Sequence, residues 1–423
     1  MRDYSCHFVL YALGILFLFG ILNGIAVADI ALTPHLTVGN MYTDNIDLTS
    51  DKEHDFINMI SPGIDCSMTA QFSSLSLSYT PTYANYLRFP ENSTLRHRGD
   101  LNALTQIAGA TQLEFSNNFL YTEDPISDID TTLRQGRNAY TTNTTSLGMT
   151  NRFGPEDSIA LGYEYYFLSN TDPTVEDNNY HRPGVIINYW IVPNRYGTES
   201  ELRYTKTSYD DSEDYTYSSG RFRLIRRLGP HFDVYAEYTH GFTNYSAEGE
   251  DYRIHSPLVG FDWSEYSNYS LSASFGYFFR NSDQGDEENG PVGMIRSLYS
   301  WDPGASLSIT GRAGYDMAVG DAENLGFNQF YDVSCIIGYP LGRNLNGNLF
   351  AAYRWDIYTD AAPDQDSTLM RTGAGLSYQP LPWMTVNMNY MYRKLDSNLY
   401  TDNYEENRAE ITLTLTPQQP IMF

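Results

Sequence analysis

Alternation of apolar and polar positions is the dominant pattern of the chain. Leu307, Ile309, Ala313, Tyr315 and Met317 alternate with Ser306, Ser308, Thr310, Arg312 and Asp316. Leu271, Ala273, Phe275, Tyr277 and Phe279 stand against Ser272, Ser274 and Arg280, and Met384, Val386, Met388, Tyr390 and Tyr392 against Thr385, Asn387, Asn389 and Arg393. A period of two sends successive side chains to opposite faces of a strand, so each run has one greasy and one wet face. Twenty such runs follow one another from 35–43 to 404–416. Soluble strands are usually five or six residues long, whereas a tilted bilayer crossing takes about 9 to 11, and these runs are mostly of the longer kind. A water-soluble fold would also have to bury every greasy face under a second layer. The pattern therefore predicts an all-β chain, a transmembrane antiparallel β-barrel of about 20 strands, or 18 if two weak runs merge with loops.

Two kinds of connection alternate between the runs. Gly154-Pro155-Glu156, Gly229-Pro230, Asp302-Pro303-Gly304 and Gln379-Pro380-Leu381-Pro382 are short turn-formers. Asn45 to Asp55, Asp124 to Thr142, Asp210 to Asp214, Asn244 to Glu250, Asn281 to Asn289, Thr359 to Asp366 and Asp396 to Asn403 are mostly longer and acidic. Long loops outside and tight periplasmic turns are the outer-membrane arrangement, and both termini on the periplasmic side require an even strand count. Arg2, the apolar run Phe8 to Leu22 and Ala26-Val27-Ala28 read as a secretory signal over 1–28, leaving 29–423 as a single barrel domain. Only Asp29 to Pro34 precede the first run, so no N-terminal plug domain is expected, which disfavours energy-coupled uptake.

Composition adds three points. With 36 Tyr, 21 Phe and 5 Trp against 18% charged residues, the aromatic surplus suits girdles at the membrane interfaces. A net charge of -26 argues against nucleic acid or an anionic lipid surface as a partner for the whole chain. Cys66 and Cys335 fall in distant runs and read as free thiols. His97, His181, His240 and His255 lie near run ends, but no Ser or acid stands at a spacing that would make a catalytic pair. Zinc, dinucleotide and P-loop motifs are absent, so no enzyme activity, cofactor or metal site is expected.

Strands ~4.8 Å apart and tilted about 40° close into a cylinder of roughly 40 Å diameter, too wide for side chains alone to fill. Candidate lumen-lining residues are Glu114, Glu164, Glu199, Glu201, Arg203, Arg221, Arg223, Glu237, Arg312, Asp316, Arg354, Arg393 and Glu410. They act either as ion pairs that stiffen the wall or as a selectivity element. A symmetric hairpin around Asp210 to Asp214 would set Glu201 opposite Arg223 and Arg203 against Arg221. Asp124 to Thr142 is the longest candidate for an infolded constriction. The acidic clusters Asp210-Asp211-Ser212-Glu213-Asp214 and Asp283 to Glu288 suit either a solvated outer surface or cation bridges to lipopolysaccharide.

The final stretch alternates Ala409, Ile411, Leu413 and Leu415 with Arg408, Glu410, Thr412 and Thr414, and closes on Phe423. It resembles the way bacterial outer-membrane barrels end, except that Pro417 and Pro420 would place Phe423 beyond regular pairing. The first hairpin, Leu36-Thr37-Val38 with Tyr42-Thr43-Asp44-Asn45-Ile46 and then Asp55-Phe56-Ile57-Asn58-Met59-Ile60-Ser61-Pro62-Gly63-Ile64, resembles the opening of the putative β-barrel porin 2 family. Members of that family are often associated with exopolysaccharide systems. The resemblance implies a pore in the bacterial outer membrane, surrounded by outer-membrane lipid, through which a polysaccharide leaves with the help of a periplasmic export partner. A general diffusion porin for small polar solutes and a structural or adhesive barrel are the alternatives.

Overall fold

The computed structural model describes residues 29–107, 109–125, 136–247, 249–265, 268–283, 285, 287–301, 304–317, 326–359, 365–398 and 403–423. The expected signal segment, 1–28, lies outside these residues. Strands β1 to β7 are Asp29–Thr43, Asp55–Thr69, Ser73–Tyr86, Thr94–Ile107, Thr111–Thr122, Tyr140–Arg152 and Ser158–Asn170. Strands β8 to β14 are Asn178–Val192, Tyr196–Tyr209, Tyr215–Gly229, Phe232–Tyr245, Tyr252–Glu265, Tyr269–Ser282 and Glu287–Trp301. Strands β15 to β20 are Ala305–Met317, Phe327–Gly342, Leu345–Tyr358, Gln365–Leu381, Met384–Ser397 and Tyr404–Leu415, followed by a short β21, Ile421–Met422.

Each long strand pairs antiparallel with the next, and β20 returns to β1 from Leu36↔Leu415 to Thr43↔Arg408. Twenty long strands thus close a barrel with no free edge, the only sheet form that satisfies every backbone group in lipid. Two expectations about the ends are corrected. The six residues thought to precede the first strand belong to it, because β1 begins at Asp29. Phe423 is not beyond the pairing: after the proline break, β21 rejoins β1 at Ala31↔Met422 and Leu32↔Ile421, and the Phe423 N–H donates to the Ile30 carbonyl at 2.9 Å.

Contacts between non-neighbouring strands identify the inner face. Arg408 of β20 reaches Asp124, just past β5, and only the interior connects strands so far apart. The opposite face carries Leu202, Val259 and Phe275, exposed by 62%, 60% and 57%, as lipid-facing side chains must be. Cys66 and Cys335 sit in different strands as free thiols. Turns at the periplasmic end are tight; that after β8 uses Asn194 at φ 58, a left-handed conformation that Asn tolerates.

Candidate functional site: the lumen and its outer mouth

The inward charges of β9 to β11 form one ladder. Arg221 pairs in register with Glu201 and Arg223 with Glu199, two residues from the symmetric expectation, and Arg203 stands opposite Ser219 instead of Arg221. The loop is asymmetric because the Asp214 carboxylate accepts from the Tyr209 N–H at 3.0 Å and from Ser208 Oγ at 3.1 Å, pinning it on the β9 side. Arg221 therefore lies 2.6 Å from both Glu199 and Glu201 and 3.3 Å from Glu237, which Arg223 meets at 2.6 Å. Arg203 also bonds Glu201. No like-charged pair is left opposed in this ladder.

The remaining candidates are distributed around the inner wall. Glu164 holds Arg182 at 3.1 Å, and Glu114 accepts from Gln112. Arg312 meets Asp332, and Arg354 meets Asp356, each at 2.7 Å. Glu410 faces inward between Met41 and Asn389. Arg393 is buried opposite Glu406, and Asp316 lines a cavity of about 430 Å³ with Arg182, Arg203 and Arg221.

At the outer mouth a second, buried network joins β20 to β4 and the β5–β6 loop across the inside of the wall. Arg408 donates to both carboxylate oxygens of Asp124, at 3.1 and 3.2 Å, and to Glu406 at 3.1 Å. Arg137 reaches Asp124 from the far side of the same loop at 3.2 Å, while Arg96 and the Tyr86 hydroxyl hold the adjacent Glu123. Burial alone would raise the Asp124 carboxyl, but Arg408, Arg137 and Arg96 outweigh it and hold it well below the usual carboxylate range. Of the loop named as the longest candidate for a constriction, these anchoring ends are what the structure describes; 126–135 lie outside the described residues.

Two further segments fold inward that the pattern of the sequence did not single out. In the loop after β1, Arg137 Nε donates to the Ile46 carbonyl at 2.6 Å and the Asn45 side chain spans Thr49 and Glu405. Ile46 packs on Met41, Ile57, Ala84 and Tyr86, and Leu48 on Leu369, Leu395 and Tyr404. Leu48 holds φ 54, costly for leucine and offset here by its burial. The β15–β16 hairpin is the other. It leaves β14 after Ala313 and leans into the barrel, bringing the Tyr315 hydroxyl to Ser256 and burying Phe327 against Tyr252 and Phe278, with the Arg280 guanidinium 4.7 Å from the Phe327 ring.

Much of the tyrosine surplus goes here rather than to outer girdles alone. Tyr86, Tyr140, Tyr209, Tyr215, Tyr252, Tyr358 and Tyr404 are each the first or last residue of a strand at the outer end, and each is buried on the inner face. Below this packed mouth, toward the periplasm, lies a cavity of about 930 Å³. Ser67, Ser76, Asn102, Ser116 and Ser146 line it beside Gly148, Gly162 and Gly184, together with the charged Glu114, Glu164 and Arg203 and the apolar Leu104 and Ile186. The four candidate histidines are elsewhere: His97, His181 and His255 share hydrogen bonds with Tyr79, Tyr163 and Tyr238 on the lipid face, and the His240 ring lies tilted against His255 there.

A closed, twenty-strand barrel with a polar interior is thus established, and the family model described as Putative beta-barrel porin 2 matches residues 22–417. The chain belongs to this family. No curated protein matches it. Among solved structures, the barrel is similar to the FrpB iron transporter from Neisseria meningitidis, with TM-score 0.56 and 10% identity over 94% of this chain and 83% of that one. It is similar also to the siderophore receptor PirA from Pseudomonas aeruginosa, with TM-score 0.51 and 11% identity over 91% and 80%. The superposition on OpdK of Pseudomonas aeruginosa is looser, with TM-score 0.45 and 13% identity over 91% and 99%. At these identities the likeness is one of fold. The protein is a β-barrel of the bacterial outer membrane with a porin or transporter fold.

Proposed function

We propose that this barrel is a non-enzymatic channel that passes a polysaccharide from the periplasm outward. The carrying observation is the cavity under the mouth. Its wall offers hydroxyl and amide groups over a glycine floor, with Leu104 and Ile186 among them; of the carboxylates that line it, Glu164 and Glu201 are held by arginines and Glu114 by Gln112. A wall of that kind hydrogen-bonds a polyhydroxylated chain at many equivalent points and fixes it at none, which suits passage of a polymer. The cavity is set toward the periplasm, so a chain arriving from that side meets it before the packed mouth. A periplasmic export partner would deliver the polymer to the rim of short turns, and cleavage of 1–28 would leave Asp29 as the first residue, checked by N-terminal sequencing.

Deletion of the gene followed by sugar analysis of the medium tests the reading. Loss of secreted polysaccharide, restored by the wild-type chain, supports it. Unchanged polysaccharide with lowered permeability to small solutes identifies a diffusion porin instead.

A further inference from the structure

The lipid-facing wall of β8 to β12 carries a feature that transport does not use. On β10 the outward positions Ser218 and Gly220 have almost no side chain, while Leu202 and Tyr204 on one flank and His240 and Phe242 on the other do, so a groove of about 600 Å³ runs along the strand. An added Cβ at Gly220 would sit 3.3 Å from Leu202 Cδ2, on the groove floor. The groove lies in the outer half of the barrel, because Ser218 is three residues from the outer end of β10.

Around its outer end the registers place two cations, Lys206 and Arg253, on the same face as three histidines. His181 stands opposite Lys206, Phe242 opposite Arg253, and His240 opposite His255 with ring centroids 4.7 Å apart. The Arg253 guanidinium lies 5.6 Å from the Phe242 ring, at the groove wall. Lys206 and Arg253 are exposed and have no carboxylate within ion-pair distance among the described residues. By contrast Lys394, on the opposite side of the barrel, is tied to Asp396 at 2.8 Å. In a chain of net charge -26, a patch of unpaired outward cations beside an apolar groove is charge-complementary to an anionic lipid.

We infer that β8 to β12 form a binding site for one phosphorylated glycolipid of the outer leaflet, the lipid A part of lipopolysaccharide. An acyl chain lies over Gly220, and a phosphate meets Lys206 and Arg253. The histidine rings and their tyrosine partners flank the headgroup at the level where amphipathic aromatics sit. The site requires the outer-membrane location and is independent of what the lumen carries.

The test is lipid retention by the full-length protein, purified in mild detergent from an outer membrane containing rough lipopolysaccharide and exchanged into lipid-free detergent. Mass spectrometry counts lipid A per chain, and titration with rough lipopolysaccharide and with phosphatidylglycerol gives relative affinity. The wild type is expected to keep one lipid A and to prefer it over phosphatidylglycerol. Lys206→Gln with Arg253→Gln should weaken binding about fivefold per cation removed. Gly220→Phe should lose the lipid by filling the groove, with heat-modifiable gel migration confirming that both variants are folded barrels. Equal retention by wild type and both variants overturns the site, as does equal affinity for phosphatidylglycerol. Crosslinking of chains through a cysteine at position 220 overturns it too, since a second copy would then cover the groove.

Discussion

Arg408, on the strand that closes the barrel, donates two hydrogen bonds to Asp124, on the loop five strands away, at 3.1 and 3.2 Å. The pair links the two ends of one quarter of the ring on the inner side of the outer mouth, and Arg137 and Arg96 crowd the same described loop ends. The loop is thus seated by opposite charges out of water, where removing one partner strands the others.

Asp124→Asn should therefore cost about 3–5 kcal/mol of the seating, as expected when one member of a buried ion pair is removed. The expected outcome is larger single-channel conductance with an intact barrel, seen as retained heat-modifiable gel migration. Replacing Arg408 with Gln should do the same. Either variant conducting like the wild type would show that the pair does not hold the mouth.

Mild acid should leave the Asp124 seating intact. The Asp124 carboxyl is depressed by its arginines despite its burial, so its contribution is fully present above the unfolded value near 3.9. It is lost only as pH falls through the lower folded value. Conductance recorded from pH 7 to 4.5 is expected to show no opening step, and a step in that range would contradict the seating by Asp124.

Phe327→Ala tests the infolded β15–β16 hairpin. Its ring is buried against Tyr252 and Phe278, and truncating a buried phenylalanine costs about 3–5 kcal/mol. The hairpin should then leave the lumen part of the time. Backbone hydrogen exchange at Tyr315 and Phe327 is expected to speed up in the variant, and unchanged exchange would show that the ring does not hold the hairpin.

Arg221→Gln tests the ladder. Glu199, Glu201 and Glu237 lose their shared partner, leaving excess negative charge on the lumen wall. A unit charge about 8 Å from a passing ion in water is worth roughly 0.5 kcal/mol, so reversal potentials should show cation preference rising about twofold.

The barrel itself was legible because lipid and water impose a contrast of period two on every crossing. The runs read at 196–209 and 305–317 are the bounds of β9 and β15. What stayed hidden depends on partners far along the chain. Ile46 and Leu48 are two apolar residues in an acidic loop, a weak signal whose meaning comes only from Ala84, Leu369 and Leu395. The register of β9 on β10 was missed by two residues because the Asp214 carboxylate, not loop symmetry, closes that hairpin. Tyrosine is at home both at a membrane interface and in a half-polar core, so its count could not say that strand-terminal tyrosines would pack inward.

The lumen is read as water-filled, open to the periplasm and narrowed at the outer mouth by the inward-packed residues around Ile46, Leu48, Asp124 and Phe327. Single cysteines at Ser146 in the cavity and Leu202 on the lipid face, each in a background with Cys66 and Cys335 replaced by serine, test it with a membrane-impermeant maleimide added to intact cells and to opened envelopes. Position 146 should label rapidly in opened envelopes, slowly in intact cells, and rapidly in intact cells once Asp124→Asn is added, while 202 stays protected throughout. Rapid labelling of 146 in intact wild-type cells, or labelling of 202 ahead of 146 in opened envelopes, would contradict it.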